Sequence, residues 1–330
     1  MRLLRAARHR LEWLLLRGGM RWLQGGDLAD AYARAHRLAG PLRHLLRSEW
    51  AWANTNLHWV YGPHITPWQR QRLAALAFEN MLCSHLDGLR QDPVHWQEEA
   101  ADGGCPSLAE AFALGRGVIV CSIHLGSWEL GLRRFAALGY PIHVVYRHAN
   151  NPLSEREFMA VRAAYGVQWI RRDEPRKMAA ALRAGHLLVL MTDINQRRQG
   201  IVAPFLGIPA QSPPGAARLA RHFQAPVVPM VCLRAAPGRL FVRCAPALMA
   251  ADYPDDVAMT TQIHHRFEAW IHTYAEQYNW LHARWRSRPD GALWSATTPT
   301  ALLHGARVAP HPPLSERVER LLSGGEEAPP

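Results

Sequence analysis

The spacing of apolar residues changes character along this chain. Over residues 1–23, Leu4, Leu11, Leu15 and Trp22 recur at spacings of seven, four and seven, with Arg2, Arg5, Arg8, Arg10, Arg17 and Arg21 among them. The stripe suits a helix lying in a membrane interface, and equally an amphipathic helix packed on a domain; Gly18 and Gly19 interrupt it. Helical periodicity continues over 28–98, with Pro63 and Pro67 marking a break and Asp92-Pro93 an end. From Gly115 onward, short β-rich runs alternate with helical ones. Segments 118–121, 143–146, 167–170, 187–191 and 227–232 read as strands, and 127–138, 154–165, 176–184 and 215–223 as the helices between them. Such alternation predicts an α/β fold: a mostly parallel central sheet with helices on both faces, preceded by a helical N-terminal region. A last amphipathic helix is expected over 256–278, and beyond residue 300 the chain turns rich in Pro, Gly and Glu. The division expected is a helical region over 1–104, an α/β domain over 105–298 and a mobile tail over 299–330.

Charge narrows the partners. Lys and Arg total 38 against 27 acidic residues, a net +11 that favours an anionic partner such as nucleic acid, anionic lipid or an acidic carrier protein. Seven tryptophans (Trp13, Trp22, Trp50, Trp52, Trp59, Trp68, Trp96) fall in the first hundred residues. Trp suits a membrane interface, where its ring is buried and its N–H stays wet, but these rings would also serve a helical core. Trp13 and Trp22 bear most on the membrane reading. Nowhere do about 18 apolar residues run uncharged, so membrane contact is expected to be peripheral. The apolar run 14–16 is too short and too closely flanked by Glu12 and Arg17 for a signal peptide. The five cysteines (Cys83, Cys105, Cys121, Cys232, Cys244) form an odd set without a CxxC pair, which predicts neither a disulfide framework nor a zinc cluster and favours a reducing compartment.

Candidate chemistry centres on Ser122-Ile123-His124-Leu125-Gly126-Ser127-Trp128-Glu129-Leu130, directly after the apolar strand 117–121. Ligands bind at the carboxyl ends of parallel strands, which is where His124 would emerge. Gly126 permits a tight turn, Ser127 is placed to cap the next helix, and Glu129 falls in that helix's first turn, where the dipole favours a carboxylate. A carboxylate can hold one imidazole nitrogen as N–H and leave the other as a lone-pair base aimed at a hydroxyl. His124 and Glu129 are therefore the candidate catalytic pair, with the acceptor alcohol itself as nucleophile. The GxSxG elbow of a serine enzyme is absent, and Cys121, in an apolar strand, reads as packing. Taken alone, H-x-x-x-x-E is also an ordinary loop histidine followed by a surface glutamate.

These residues and their surroundings resemble the bacterial lipid A biosynthesis acyltransferases, the lauroyl and myristoyl transferases, within the broader H-x-x-x-x-D/E group of lysophospholipid-acyltransferase-like proteins. The resemblance extends over about residues 10–290. It is carried by Val145-Tyr146-Arg147 with Asn151-Pro152, Arg162, Leu182-Arg183-Ala184-Gly185 before a strand ending at Asp193, Pro204-Phe205-Leu206-Gly207, and Glu276-Gln277-Tyr278-Asn279-Trp280-Leu281-His282 with Arg284, Arg286, Arg288 and Pro289. It implies a glycerolipid-acyltransferase-like fold. It also implies an acyl chain delivered as a thioester on acyl carrier protein, a hydroxyl of a lipid A precursor as acceptor, and a place at the cytoplasmic face of the inner membrane. No cofactor and no metal are expected. By the same resemblance His124 and Glu129 form a dyad, and Arg162, Asp193, Arg147 and Asn151 are candidates for binding substrate or the developing oxyanion, Arg147 being equally readable as a structural salt-bridge residue. Arg284, Arg286 and Arg288 are candidates for meeting lipid phosphates or the carrier. The stretch Ile194-Asn195-Gln196-Arg197-Arg198 and Ala275 depart from the family pattern, which leaves the acceptor open between a lipid A precursor and another glycolipid or aminolipid.

Two other classes compete. His264, Glu268 and His272 lie four residues apart on one helical face, as zinc ligands of a metallohydrolase would, although HExxH is absent and Phe267, Trp270 and Ile271 give the same helix an ordinary core stripe. A non-catalytic nucleic-acid binder would explain the basic balance, but no RNP, KH or C₂H₂ signature accompanies it, and nucleic acid is not expected as a partner.

Overall fold

The computed structural model describes residues 2–90, 92–97, 104–298 and 306–324, with side chains from residue 6 onward. Four helices come first: α1 (Arg2–Gln24), α2 (Leu28–Leu45), α3 (Arg47–Tyr61) and α4 (Pro67–Leu89). The break at Pro63 and Pro67 is where one helix stops and the next is capped. Thr66 accepts from the Gln69 N–H, the Gln69 side chain reaches back to the Thr66 N–H, and Pro67 occupies a first-turn position where its missing N–H is harmless. Gly18 and Gly19, read as an interruption, do not break α1; about 1 kcal/mol for each glycine is too little to end a helix flanked by good helix formers.

The next elements alternate. They are β1 (His95–Trp96), α5 (Pro106–Ala113), β2 (Val118–Ser122), α6 (Trp128–Ala137), β3 (Ile142–Tyr146), α7 (Pro152–Arg162), β4 (Gln168–Arg171), α8 (Pro175–Arg183) and β5 (Leu187–Met191). A separate antiparallel hairpin of β6 (Ile201–Phe205) and β7 (Ile208–Ser212) follows, then α9 (Gly215–Phe223), β8 (Val227–Ala236), β9 (Arg239–Cys244) and α10 (Asp256–Thr273). Seven strands form one sheet in the order β1-β9-β8-β2-β5-β3-β4, parallel throughout except where β9 returns antiparallel to β8. All five residues of β2 are buried, because the strand is central and covered on both faces. Its alternate side chains enter different cores: Ile119 and Cys121 join α4, α9 and α10, whereas Val118 and Val120 join α5 and α6. Residues of α3 and α4 lie in the same core as the sheet, so the N-terminal helices cover one of its faces.

The structure corrects the reading of the cysteines. Cys105, at the entry to α5, is joined to Cys244, at the end of β9, as a disulfide across a sequence separation of 139. The pair spans the folded sheet rather than a short loop, so spacing could not disclose it, and the cysteines no longer argue for a reducing compartment. Part of the tail expected over 299–330 is described. Residues 306–324 lie against the body, with Leu314, Val318 and Leu322 buried; the last two belong to α11 (Glu316–Leu322), whose Arg317 pairs with Glu276 at 2.8 Å. The remainder of that tail, 299–305 and 325–330, lies outside the described residues.

Candidate active site

His124 follows the end of β2, and Asp193 follows the end of its neighbour β5. The carboxylate meets the histidine twice: Asp193 Oδ1 lies 2.9 Å from Nδ1, and Oδ2 accepts the His124 backbone N–H at 2.9 Å. A carboxylate in that place holds Nδ1 as N–H and leaves Nε2 as the lone-pair nitrogen. Asp193 has no exposed surface. Burial favours its neutral acid, yet the His124 ring, the His282 ring and the hydrogen bonds from His124 prevail and hold its pKa well below the usual carboxylate range. For His124, burial disfavours the charged ring, but the charge and hydrogen bond of Asp193, helped by the charge of Glu129, prevail and raise its pKa.

The loop that carries His124 is clamped on three sides. Gly126 has φ +64°, and a Cβ there would run into the Cys232 carbonyl, so only glycine fits. Its N–H donates to Gln277 O at 3.1 Å, its carbonyl accepts from Ser84 Oγ at 2.6 Å, and Asn279 N–H donates to His124 O at 2.9 Å. Ser127 makes no side-chain cap on α6, contrary to expectation; its hydroxyl donates instead to buried Asp87. Asp87 also binds Tyr32 and Arg234, and the Arg234 guanidinium reaches Tyr32 Oη (2.8 Å), Asn80 Oδ1 (2.9 Å) and Ser127 Oγ (2.6 Å). This network joins α2, α4 and β8 beneath the loop.

Glu129 is near His124 but does not orient it by a hydrogen bond. Its Oε1 accepts from Arg162 Nη2 at 2.5 Å and its Oε2 from Tyr165 Oη at 2.9 Å. Gly88, at the end of α4, lets that carboxylate approach, since a Cβ there would stand 3.2 Å from Glu129 Oε2. Arg162 lies over the Trp169 ring, 4.4 Å from its centroid.

His124, Glu129, Arg147 and Arg162 line one cleft of about 510 Å³, together with His282 and the apolar side chains of Leu46, Met81, Phe158, Val161 and Leu281. The structure thus brings five of the expected site residues together: these four and Asp193, which lies directly behind His124. It places others elsewhere. Asn151 is buried, caps α7, and donates to His9 O at 2.8 Å and Glu12 Oε2 at 3.1 Å, so it ties α1 to α7 and does not line the cleft. Arg284 and Arg288 are buried; Arg284 donates to Gln211 O and Ser212 Oγ, and Arg288 to Pro209 O. Only Arg286 of that trio is exposed to meet a phosphate or carrier.

The zinc alternative does not assemble on α10. His264 Nδ1 hydrogen-bonds Pro204 O at 2.8 Å, Glu268 accepts from the Leu206 N–H at 3.0 Å, and His272 sits against Tyr61. Cys121 is fully buried, and burial pushes its thiol pKa up, as a packing residue requires. Three features of the site escaped the sequence reading: His282, Tyr165 and the Asp87–Arg234 network. For His282 the signal was its place in the 276–282 run; the other two carried none, since their contacts span 36 to 202 residues of sequence.

Residues 3–287 match the family described as bacterial lipid A biosynthesis acyltransferase, and the chain belongs to that family. It is similar to the lipid A biosynthesis lauroyltransferase of Escherichia coli K12, 29% identical over 197 residues, covering 57% of this chain and 62% of that protein. It is also similar to the palmitoleoyltransferase of the same organism, 30% identical over 194 residues with the same coverage. A lipid A biosynthesis acyltransferase of Haemophilus influenzae is 27% identical over 178 residues, covering 53% and 57%. The chain thus matches less than two thirds of the length of these relatives.

Proposed function

We propose that the protein transfers a fatty acyl chain from an acyl carrier protein thioester to a hydroxyl of a lipid A precursor at the cytoplasmic face of the inner membrane. One observation carries this reading: an imidazole with Nδ1 fixed by a buried carboxylate, at a cleft that combines two arginines with an apolar lining. Family membership supplies the acyl-transfer class.

In this mechanism His124 Nε2 removes the proton of the acceptor hydroxyl as the oxygen attacks the thioester carbonyl. The imidazolium formed is stabilised by Asp193. When the tetrahedral intermediate collapses, the C–S bond breaks, the new ester C–O bond remains, and His124 returns its proton to the departing thiolate sulfur. A positioned general base contributes about 10²- to 10⁴-fold. Arg162, held by Glu129, and Arg147 at the exposed rim supply positive charge for acceptor phosphates, while Phe158, Val161, Met81 and Leu281 suit the acyl chain.

Membrane attachment is assigned to α1. No helix among the described residues is long and apolar enough to cross a membrane. α1 leaves Leu11, Leu14, Leu15 and Trp22 exposed, while Trp13 donates to Glu157 of α7 at 3.0 Å. That arrangement fits a helix lying on a bilayer beside the cleft. The side chains of Arg2, Leu4 and Arg5 lie outside the described residues. The test is incubation of purified protein with acyl carrier protein thioesters and a panel of lipid acceptors, read by mass spectrometry. Ester formation on a lipid A precursor supports the reading; transfer only to another glycolipid or aminolipid would reassign the acceptor, and no transfer to any would overturn it.

A further inference from the structure

His282 stands beside the base without a role in the mechanism above. Its ring centroid is 4.6 Å from that of His124, the two rings nearly perpendicular, and it lines the same cleft. Its protonation pattern can be read from its neighbour. Asn279 Oδ1 accepts the Leu281 N–H at 3.2 Å, which turns the Asn279 amide nitrogen toward His282 Nε2, also at 3.2 Å. An amide N–H donated to Nε2 makes that nitrogen the acceptor, so the hydrogen of a neutral ring sits on Nδ1. Nδ1 has no hydrogen-bond partner among the described residues, and it is not one of the buried unpaired atoms. His124 presents the opposite: Nδ1 is taken by Asp193, and Nε2, a lone pair, is likewise unpartnered and not among those buried atoms. A proton acceptor and a neutral N–H donor therefore stand side by side at one cleft.

Acyl transfer needs that combination. The base acts on the attacking hydroxyl, and a donor must meet the carbonyl oxygen as it gains charge, at the same carbon. Arg162, the other candidate, has its guanidinium engaged by Glu129 and stacked on Trp169. Arg147 sits exposed at the rim. We propose that His282 is a further catalytic residue, a neutral imidazole whose Nδ1–H receives the oxyanion of the tetrahedral intermediate. Burial, and then the charge of His124, lower its pKa to about 4, which keeps it a donor without adding a second cation next to the base. A neutral histidine can polarise a carbonyl in this way when its surroundings keep it uncharged.

The inference rests on the acyl-transfer reading, and its test separates the two. Transfer by wild type, His282→Ala and His282→Gln is measured with the acyl carrier protein thioester and the acceptor that the panel identifies, alongside thermal midpoints. We expect His282→Ala to lose about 100- to 1,000-fold in kcat, the usual cost of one oxyanion donor, with KM nearly unchanged. His282→Gln, whose amide retains an N–H, should recover part of that loss. The low-pH limb of kcat/KM, set by His124, should stay in place in both variants. Near-wild-type turnover by His282→Ala would overturn the proposal while leaving acyl transfer intact. So would a glutamine variant no better than alanine at an unchanged thermal midpoint, or a displaced pH limb, which would mean that His282 acts through His124. Absence of transfer by the wild type would remove both readings.

Discussion

Asp193, rather than Glu129, is the carboxylate hydrogen-bonded to His124, at 2.9 Å from Nδ1. The two residues follow neighbouring parallel strands, so their pairing is a product of sheet order. The pKa of His124 is raised. A general base works only when deprotonated, so activity should be full above that raised pKa and should fall as the pH drops through it. The low-pH limb of kcat/KM is therefore expected above 6.5, the ordinary histidine value. Asp193→Asn removes the charge that raises the pKa, so it should move the limb downward and reduce the plateau by about 100-fold or more. A pH profile of both proteins checks this; an unmoved limb would detach Asp193 from the base.

Glu129 and Arg162 form an ion pair at the cleft wall. Glu129→Gln should release Arg162 from its fixed position and Arg162→Lys should lose the planar fork, each reducing kcat/KM by about 10- to 100-fold through weaker acceptor binding and positioning. In contrast to Asp193→Asn, neither change should displace the pH limb by as much. Initial rates over a range of acceptor concentration, repeated across pH, distinguish the two patterns.

The Arg234–Asp87 pair is buried at the heart of a polar network under the His124 loop. Removing one partner leaves the other charge buried and unpaired, so Arg234→Met should destabilise the protein by about 3–5 kcal/mol. Chemical denaturation measures that loss. Replacing both partners by apolar residues should cost less than the single change, because no orphaned charge remains.

The interfacial role proposed for α1 predicts salt-sensitive binding to anionic vesicles. Replacing Arg2, Arg5, Arg8 and Arg10 together should reduce sedimentation with such vesicles, at about 1 kcal/mol for each basic residue near the surface. Unchanged sedimentation would leave α1 as a packing helix against α7.

Much of this site is legible in the sequence. The strand before His124, the glycine turn after it and the helix bearing Glu129 are local features, written in consecutive residues. Arg162 and Asp193 were reached through a family resemblance, which gives positions but not partners. What stayed hidden is what depends on strand order and helix docking: that Asp193 and not Glu129 holds the imidazole, that Asp87 meets Arg234 across 147 residues, and that Cys105 meets Cys244 across 139. Burial was hidden too. Arg284 and Arg288 read as a basic patch, yet they serve as internal hydrogen-bond donors to the β6–β7 hairpin.

The central claim is that His124 is the base. Its most direct test is the rate of acyl transfer by His124→Ala, measured by mass spectrometry on protein whose thermal midpoint and vesicle binding match the wild type. We expect a loss of about 10²- to 10⁴-fold. Turnover at the wild-type rate would contradict it.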